Sequence, residues 1–435
     1  MTHTSRIATR APAVSNLQPL LLIVAAIVAL TAGNQIFHAL INGPDLARVG
    51  VVEVSQVFFP GPLFYPWDRF MDYFKMQSFQ PSLGQVSALP PTTILLYQIE
   101  RLLTAAIGPA NSILAFSAFQ VTLFSASVCR LLSSPAGVPG LNFSTRLALA
   151  TIISLCSYPI YFCIDRGNSA LIVCALINFA IDAHLRDKPW SAGILIGLAA
   201  ALRITPLVFA AIYLSRRDFR YLLAAVATPL VAWGISLPAV ALLLDGYTLG
   251  TWLGGFSAHG GMYTTATFGL GWSSSLYNFI RLLRFLVGIP DGAEVESALL
   301  AETAYSLFSI TFLLTILWRI RTADAITAFA LLAWAFVALP HVTGDYYLAL
   351  LIAPLIMLAT RQRPDMLTLW LFILLLVPKD YYYFYALQEH LIQSGIISLQ
   401  QFLKLRAMGY NPTSIQALVL NPFLLFWLGL RLARK

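Results

Sequence analysis

Long apolar runs recur along this chain from Leu17 to its C-terminus, and short polar or basic segments separate them. A helix needs about 20 apolar residues to cross the hydrocarbon core of a bilayer. The pattern therefore predicts an all-α polytopic integral membrane protein with about ten transmembrane helices. The predicted spans lie near residues 17–41, 109–131, 147–163, 168–185, 219–243, 300–318, 325–340, 346–360, 366–378 and 412–432.

The composition excludes an ordinary soluble protein. Of the 435 residues, 58% are hydrophobic and only 11% are charged, so a bilayer must replace water as the solvent for most of the chain. The first apolar run, from Leu17 to Ile41, is too long for the core of a signal peptide and lacks a convincing small-x-small cleavage motif. We therefore expect it to be a retained helix.

Basic residues concentrate in the short connections between predicted spans. By the positive-inside rule each cluster is predicted to be cytoplasmic, with both termini on the same side. The net charge of +8 then reflects attraction to anionic membrane lipids, and nucleic acid is not an expected partner. The clusters are Arg130 with Arg146, Arg186 with Lys188, Arg216 with Arg217 and Arg220, Arg319 with Arg321, Arg361 with Arg363, and Arg431 with Arg434 and Lys435.

The remaining long segments, 42–108, 244–299 and 379–411, are predicted to lie outside the inner (plasma) membrane, on its periplasmic side. Tight turns at 164–167 and 341–345 fall on the same side. Most of the acidic residues belong to these parts of the chain, so we expect the chemistry of the protein there.

Residues 189–214 do not fit a single crossing, because one span there would place its two flanking basic clusters on opposite faces. A re-entrant hairpin that breaks at Arg203-Ile204-Thr205-Pro206 resolves the conflict. Proline removes a backbone donor at the break, and the arginine sits at membrane depth. An ordinary kinked span is the alternative.

The first outer segment contains two carboxylates, Asp68 and Asp72, whose spacing of four puts them on one face of a helix. A carboxylate in an outer loop is a candidate catalytic base. The alternative is a solvated loop helix in which the acids pair with Arg69 and Lys75. A second loop helix is predicted after Pro90-Pro91, over the amphipathic run 92–107. The aromatic residues around the two acids are Tyr65, Trp67, Phe70, Tyr73 and Phe74.

A polar turn, Asp165-Arg166-Gly167-Asn168, joins two apolar runs near the same face. The guanidinium of Arg166 could bind a phosphate as a fork donor. The alternative is that the turn needs these residues for its own geometry, because glycine and asparagine tolerate positive φ.

Further candidates lie on the other outer segments. Pro340-His341 and Asp345-Tyr346 end one span and begin the next, where an interfacial histidine is the plainer interpretation of His341. In the segment 244–299, His259 and the aromatic and hydroxyl groups near it suit a sugar ring. Arg281 and Arg284, one turn apart, suit a phosphate, although an amphipathic helix at the headgroups also explains the pair.

No metal or other cofactor is expected. The cysteines lie in or at the ends of apolar runs without metal-ligand spacing, so they are predicted to be small buried side chains. Asp68 and Asp72 could hold a divalent cation, but no third acidic ligand stands near them in the sequence.

The order of these features resembles the GT-C glycosyltransferases that use polyprenyl-phosphate sugars, and most of all glycosyltransferase family 87. The resemblance covers most of residues 60–360. Its motifs are the outer-loop Asp, Arg166-Gly167-Asn168, the helix ending in Arg186, the segment from Trp190 through Gly193, Gly197 and Arg203 to Pro206, the basic run from Arg216 to Arg220, Ser274-Ser275-Leu276, and Pro340-His341 with Asp345-Tyr346.

The resemblance implies an inverting transfer outside the membrane, from a polyprenyl-phosphate sugar to a hydroxyl of a glycan or glycolipid. It implies that the base is Asp72, with Asp68 second, although the stretch between the first span and Asp72 is longer than is usual in the family. Asn168 matches the family's amide after the glycine, and Arg203 stands where the family commonly has lysine.

Two other functions compete with this one. A transporter or flippase of lipid-linked glycans would also have outer acids and a re-entrant segment, but the two halves of the chain show no evident repeat and the polar groups favour one face. A structural partner in a glycan-assembly complex is disfavoured because Asp72, Asn168 and His341 are all present.

Overall fold

In the residues that it describes, the structure, a computed structural model, consists of helices joined by turns and short loops. Those residues are 17–46, 70–85, 87–138, 140–264, 273–280, 295–360, 365–377 and 420–434. In this part of the chain the β geometry is limited to an isolated antiparallel bridge between Ser273 and Gly344. The all-α class is therefore confirmed.

The described part of the chain contains sixteen α-helices, α1 to α16 in chain order. They are α1 (Leu17–Leu46), α2 (Met71–Gln77), α3 (Pro91–Ile107), α4 (Pro109–Leu132), α5 (Phe143–Cys156), α6 (Tyr158–Arg166), α7 (Ala170–Leu185), α8 (Pro189–Leu202), α9 (Ala211–Arg216), α10 (Phe219–Leu243), α11 (Leu249–Thr264), α12 (Val295–Arg319), α13 (Ala325–Ala338), α14 (Ile352–Ala359), α15 (Met366–Leu376) and α16 (Asn421–Ala433). Short 3-10 helices cover Pro81–Leu83, Thr205–Ala210 and Asp345–Leu351.

Three of the described helices are long and apolar enough to cross a membrane: Pro109–Leu132, Phe219–Leu243 and Leu300–Arg319. The bent pair α5 and α6 would make a fourth span. Shorter apolar helices occupy most of the other predicted spans, so the protein is a helical membrane protein whose count of about ten spans stays a prediction.

The predicted span 147–163 is not straight. The chain bends by 64° between α5 and α6, where Ser157 takes an extended conformation. Pro159 follows in the first turn of α6, a position where its missing N–H costs nothing but which prevents the preceding helix from continuing. The bend brings the end of α6 against α2.

The segment 189–216 doubles back on itself. α8 rises to Leu202, Arg203 is extended, and the chain returns through Thr205–Ala210 and α9. The Tyr213 hydroxyl lies 3.4 Å from the carbonyl of Pro189, so the descending arm ends beside the start of α8. That a bilayer surrounds these two arms as a re-entrant hairpin stays a prediction.

The break at the tip of these arms leaves backbone carbonyls that other helices satisfy. Pro206 has no N–H to donate to the carbonyl of Leu202, and the Thr93 hydroxyl of α3 donates to it instead. The indole of Trp233 on α10 donates over 2.9 Å to the carbonyl of Ala201. Both bonds hold the tip, and with it Arg203, between α3 and α10.

One end of the bundle contains several of the basic clusters, and we call it the basic end. There, Asp182 near the end of α7 accepts hydrogen bonds from Arg130 of α4 at 3.0 Å and from Arg186 at 2.7 Å. Arg216 lies 3.4 Å from His184, so the base of the doubled-back segment belongs to the same end. The tip at Arg203 lies about 21 Å away, the length of a 14-residue helix.

The core runs through α7, α13 and the segment Asp345–Ala359, whose residues are almost all buried. The indole of Trp334 in α13 donates over 2.6 Å to the carbonyl of Leu425 and packs against Gly429, which ties α16 to the core. The cysteines Cys129, Cys156, Cys163 and Cys174 are free thiols.

Candidate active site

α2 is fixed against the turn between α6 and α7. The amide of Phe70 donates a 2.6 Å hydrogen bond to the carbonyl of Asp165. Gly167, in that turn, has a φ of +62°, and a Cβ placed on it would lie 2.6 Å from the Cβ of Tyr73. Glycine is required twice at this position, for its positive φ and for the close approach of α2.

Tyr97 of α3 holds the same turn from another side. Its hydroxyl donates to the carbonyl of Gly167 over 3.2 Å and accepts from the amide of Ser169 over 3.0 Å. Burial raises the pKa of Tyr97, and the neighbouring charge of Asp72 adds to the rise, so this hydroxyl stays a neutral donor.

Asp72 points from α2 onto this turn, and both of its oxygens have partners. Arg166 donates to Oδ1 over 3.1 Å, and the side-chain amide of Asn168 donates to Oδ2 over 2.8 Å. The Asp72 side chain is 24% exposed, whereas that of Arg166 is 8% exposed. The carboxylate is thus oriented by two donors while one side of it stays open.

Arg203 joins the cluster through Asn168. Its Nη2 lies 3.4 Å from the Asn168 side-chain oxygen, which also accepts from the amide of Ala170 over 3.0 Å. The buried Nε of Arg203 has no hydrogen-bond partner in the described part of the chain. A guanidinium with donors to spare beside a carboxylate and a second guanidinium suits an anionic ligand.

Tyr346 completes the cluster at the start of the segment after α13. It is close enough to Arg203, Asp72 and Arg166 to interact with their charges. Its ring stacks on Phe162 of α6 at 5.9 Å and packs edge-on against Tyr347 at 4.8 Å. An aromatic wall therefore borders the charged groups.

Asp345 lies next to this wall but is fully buried. It accepts a 2.6 Å hydrogen bond from the hydroxyl of Tyr158 and another hydrogen bond from Ser274. Asn421 donates to the Ser274 hydroxyl over 3.1 Å, so the carboxylate joins α6, the segment 273–280 and α16. In this arrangement Asp345 does not face the open side of the site but holds the residue next to it, Tyr346, in position.

His341 is enclosed by aromatic rings. Its ring centre lies 4.7 Å from that of Tyr277 and 5.3 Å from that of Tyr305, both in edge-on contact. Its Nε2 lies 3.4 Å from the hydroxyl of Ser306, and its carbonyl accepts a 2.8 Å bond from Ser275. These contacts anchor His341 to α12 and to the segment 273–280.

A second polar group supports α2 on the side away from Asp72. The Tyr73 hydroxyl contacts Ser112 of α4 and lies 3.3 Å from both Glu100 and Thr104 of α3. Burial raises the pKa of the Glu100 carboxyl, which the hydrogen bond from Tyr73 partly opposes. This group fixes the helix that carries Asp72 to α3 and α4.

The structure therefore brings five sequence-predicted residues into one cluster: Asp72, Arg166, Asn168, Arg203 and Tyr346. Asp68, Arg281 and Arg284 lie outside the described residues. His259 belongs to α11, but its side chain is not described. Among the described residues there is no group of three acidic, histidine or cysteine side chains that could hold a metal ion.

Some contributors to the site carry no sequence signal of their own. Tyr97 is one of many aromatic residues in an amphipathic run, and only the fold aims its hydroxyl at Gly167. The roles of Tyr158 and Glu100 cannot be predicted from the sequence either, because their hydrogen-bond partners are distant in the sequence. The amphipathic pattern of 92–107 does predict which face of α3 is buried, and Tyr97 lies on that face.

Comparison with known proteins adds a family. A sequence model of glycosyltransferase family 87 matches residues 89–354, more than half of the chain. The match contains Arg166, Asn168, Arg203 and Tyr346 and begins after Asp72.

Two curated relatives carry the same description, polyprenol-phosphate-mannose-dependent alpha-(1-2)-phosphatidylinositol mannoside mannosyltransferase. The protein from Mycolicibacterium smegmatis is 39% identical over 74 residues, which is 17% of this chain and 16% of the relative. The protein from Mycobacterium tuberculosis is 32% identical over 103 residues, 24% of this chain and 23% of the relative. This chain thus matches less than a quarter of the length of either relative.

Proposed function

This chain belongs to glycosyltransferase family 87, and from that membership and the surroundings of Asp72 we propose that it transfers a sugar from a polyprenyl-phosphate donor to a hydroxyl group of a glycolipid or glycan. The names of the relatives favour mannose as the sugar and a glycolipid as the acceptor. The reaction takes place on the periplasmic side of the membrane.

The main support for this proposal is that the Asp72 carboxylate is both held in one orientation and partly exposed. A carboxylate held by Arg166 and Asn168 but 24% exposed is oriented and still reachable. A general base needs both properties, since it must lie within hydrogen-bond reach of the proton that it removes.

In the proposed reaction Asp72 takes the proton of the acceptor hydroxyl while the oxygen attacks the anomeric carbon. A new C–O bond forms on the face opposite the phosphate, and the bond between the anomeric carbon and the phosphate oxygen breaks. Polyprenyl phosphate leaves with the electron pair of that bond, so the configuration at the anomeric carbon is inverted.

The leaving phosphate needs cations, and Arg203 is the best placed to provide one. Its buried Nε is unpartnered in the described chain, and its fork geometry matches phosphate oxygens. Arg166 adds charge from the other side of Asn168 while it orients Asp72. Donors aimed at the oxygen where negative charge develops stabilise the transition state.

A divalent cation does not fit the described groups around Asp72. Mg²⁺ and Ca²⁺ prefer several oxygen ligands, whereas Asp72 is surrounded by Arg166, Arg203 and the donating amide of Asn168. Positive groups in these positions repel a cation. In the proposed reaction the two arginines therefore neutralise the phosphate.

The aromatic wall supports a sugar-binding role. Tyr346, stacked on Phe162, presents a ring beside the charged groups, and sugar rings pack their C–H faces on such surfaces. We assign the mannosyl group to the space between this wall and Asp72.

The proposal is tested by sugar transfer with the purified protein in nanodiscs. The assay offers radiolabelled polyprenyl-phosphate mannose, and a panel of other polyprenyl-phosphate sugars, together with a membrane lipid extract as acceptor. We expect a glycolipid product from the wild type. Asp72→Asn, which keeps the size of the side chain but removes the base, should lower the rate by about 10²–10⁴-fold.

Asp365→Asn is a matched control. Asp365 also pairs with an arginine, Arg431 at 2.6 Å, and its side chain is 22% exposed. Since this pair joins α15 to α16 and does not touch the Asp72 cluster, the control should retain transfer. Equal losses in both variants would remove Asp72 from the role of base. Absence of transfer by the wild type with every donor, with binding of lipid-linked glycans retained, would favour a flippase.

A further inference from the structure

A recess opens at the basic end, between the end of the doubled-back segment and the end of α12. Its volume is about 260 Å³. The tip of the doubled-back segment, which belongs to the Asp72 cluster, lies at the opposite end of α8, so this recess is not part of that site. It is lined by Leu214, Ser215, Arg217, Leu317, Trp318 and Arg321.

The two arginines of the recess differ from others at the basic end. Arg130 and Arg186 share Asp182 as a counterion. Arg217 and Arg321 are exposed, and neither side chain has a hydrogen bond or ion pair within the described residues. Two guanidinium groups that converge on one recess without a counterion create a local preference for an anion with several oxygens.

Apart from Ser215, the rest of the lining is apolar, and the apolar surface continues along α12. Leu307, Ile310, Leu314 and Trp318 recur at intervals of three and four residues, and each is at least 55% exposed. They form a stripe on one face of a helix long and apolar enough to cross a membrane. The stripe ends at Trp318, where an indole suits the boundary between hydrocarbon and headgroups.

The charged recess and the apolar stripe adjoin each other as the headgroup and acyl chain of a phospholipid do. The arginines lie just beyond the ends of two helices that qualify as spans, α10 and α12, and the stripe runs from them along α12. We propose that the recess binds the phosphate of an anionic phospholipid headgroup, with an acyl chain along Leu307, Ile310, Leu314 and Trp318.

A free phosphate ion shares the headgroup chemistry but would not use the apolar stripe. The lipid satisfies both parts of the surface, so it is the occupant that the structure favours. Bound there, it joins α12 to the base of the doubled-back segment and stabilises their contact. The inference does not depend on the proposed sugar transfer, because it concerns the opposite end of the molecule.

The test measures binding to the full-length protein in detergent by native mass spectrometry and by thermal unfolding. Three probes are compared: dihexanoyl phosphatidylglycerol, dihexanoyl phosphatidylcholine and inorganic phosphate. Phosphatidylglycerol should bind about tenfold or more tightly than the other two and raise the unfolding temperature, since a ligand stabilises the state that binds it.

The variant Arg217→Gln/Arg321→Gln should weaken phosphatidylglycerol binding by about tenfold or more, because charge-assisted hydrogen bonds to the phosphate are lost. Arg220→Gln/Arg434→Gln removes the same charge from two exposed arginines outside the recess and should bind as the wild type does. Transfer activity should be unchanged in both variants.

Three outcomes would overturn the proposal. Equal losses in the two double variants would mean that only net charge matters. Equal binding of phosphatidylcholine would remove the role of the headgroup charge, and equal binding of inorganic phosphate would make the ion, and not the lipid, the ligand. Both arginines are exposed, so their replacement should leave the unfolding temperature without added lipid unchanged. A lower unfolding temperature there would show that folding, and not only binding, is impaired.

Discussion

At the scale of single residues, the pairing of Asp72 with Arg166 serves orientation more than stability. Arg166 is 8% exposed and needs a counterion, and Asp72 is the partly exposed member that meets this need. An ion pair of this kind contributes little net free energy, because desolvation offsets the attraction, but loss of one partner is costly. The pair therefore keeps Asp72 in one place.

Gly167 is the residue whose replacement most directly tests this geometry. Gly167→Ala adds a methyl group 2.6 Å from the Cβ of Tyr73 at a φ of +62°. We expect loss of stability from the backbone conformation, of about 1–2 kcal/mol, and a further loss as α2 is displaced. Transfer should fall along with the unfolding temperature.

Gly84→Ala separates the two effects. Gly84 also has a positive φ, +75°, but nothing lies within 4 Å of a Cβ placed there. This variant should show the conformational cost alone and keep its transfer activity. If the two variants lose the same activity, the approach of Tyr73 to Gly167 does not position Asp72.

Much of the cluster could be predicted from the sequence at this scale, but its exposure could not. Asp72, Arg166, Asn168 and Arg203 stood out as polar groups among apolar runs. Asp345 looked equally suited to contact a substrate, yet it is fully buried beneath Tyr158 and Ser274. Its partners are more than 70 residues away in the sequence, and no local pattern predicts them.

At the scale of elements, the site depends on how closely α8 approaches α10. Gly193 and Gly197 lie one turn apart on α8, and Cβ atoms there would come within 2.8 Å of the Tyr221 carbonyl and 2.5 Å of the Thr228 Cβ. Small residues at this spacing let membrane helices pack closely. Arg203 directly follows the last residue of α8, so this contact between α8 and α10 determines where Arg203 lies relative to the Asp72 cluster.

Gly197→Ala should therefore lower stability by overpacking, by about 1–3 kcal/mol, and should lower transfer by shifting Arg203. Gly234→Ala in α10 is the control, because nothing lies within 4 Å of its added methyl group. Thermal unfolding in detergent and the transfer assay are measured for both. A Gly197→Ala protein as stable and active as Gly234→Ala would contradict the role of this contact.

Element boundaries were predictable where proline or charge interrupts a run. The break near Arg203-Ile204-Thr205-Pro206 and the start of α3 at Pro91 follow from the rules for proline. The 64° bend at Ser157 was missed, because the apolar run continues through it. Pro159 can indicate a helix break, but membrane helices often contain proline, so its presence alone does not predict a bend.

At the scale of the whole molecule, the structure has two chemically distinct ends. The basic end contains Asp182 with its arginines and the recess lined by Arg217 and Arg321, and the other end contains the Asp72 cluster. The positive-inside rule predicts that the basic end faces the cytoplasm. The clustering of residues distant in the sequence at each end is what the sequence pattern led us to expect.

Cysteine labelling in intact cells tests this orientation. Leu83→Cys, at a residue 71% exposed in the first outer segment, should react with a membrane-impermeant maleimide added outside. Thr322→Cys, exposed beyond the end of α12, should react only after the membrane is permeabilised. The wild type, which retains its own cysteines, gives the background. The reverse pattern would place the Asp72 cluster in the cytoplasm.

The separation of Asp72 and Arg166 by 94 positions in the sequence has a consequence for biosynthesis. The ribosome delivers α2 to the membrane well before α6, so for a time the aspartate exists without its arginine, and the glycine turn that receives α2 does not yet exist. A nascent chain that ends before α6 therefore lacks the two side chains that orient Asp72. Arg203 and Tyr346 of the same cluster follow later still in the chain, so the cluster is complete only after the segment that begins at Asp345 has been inserted.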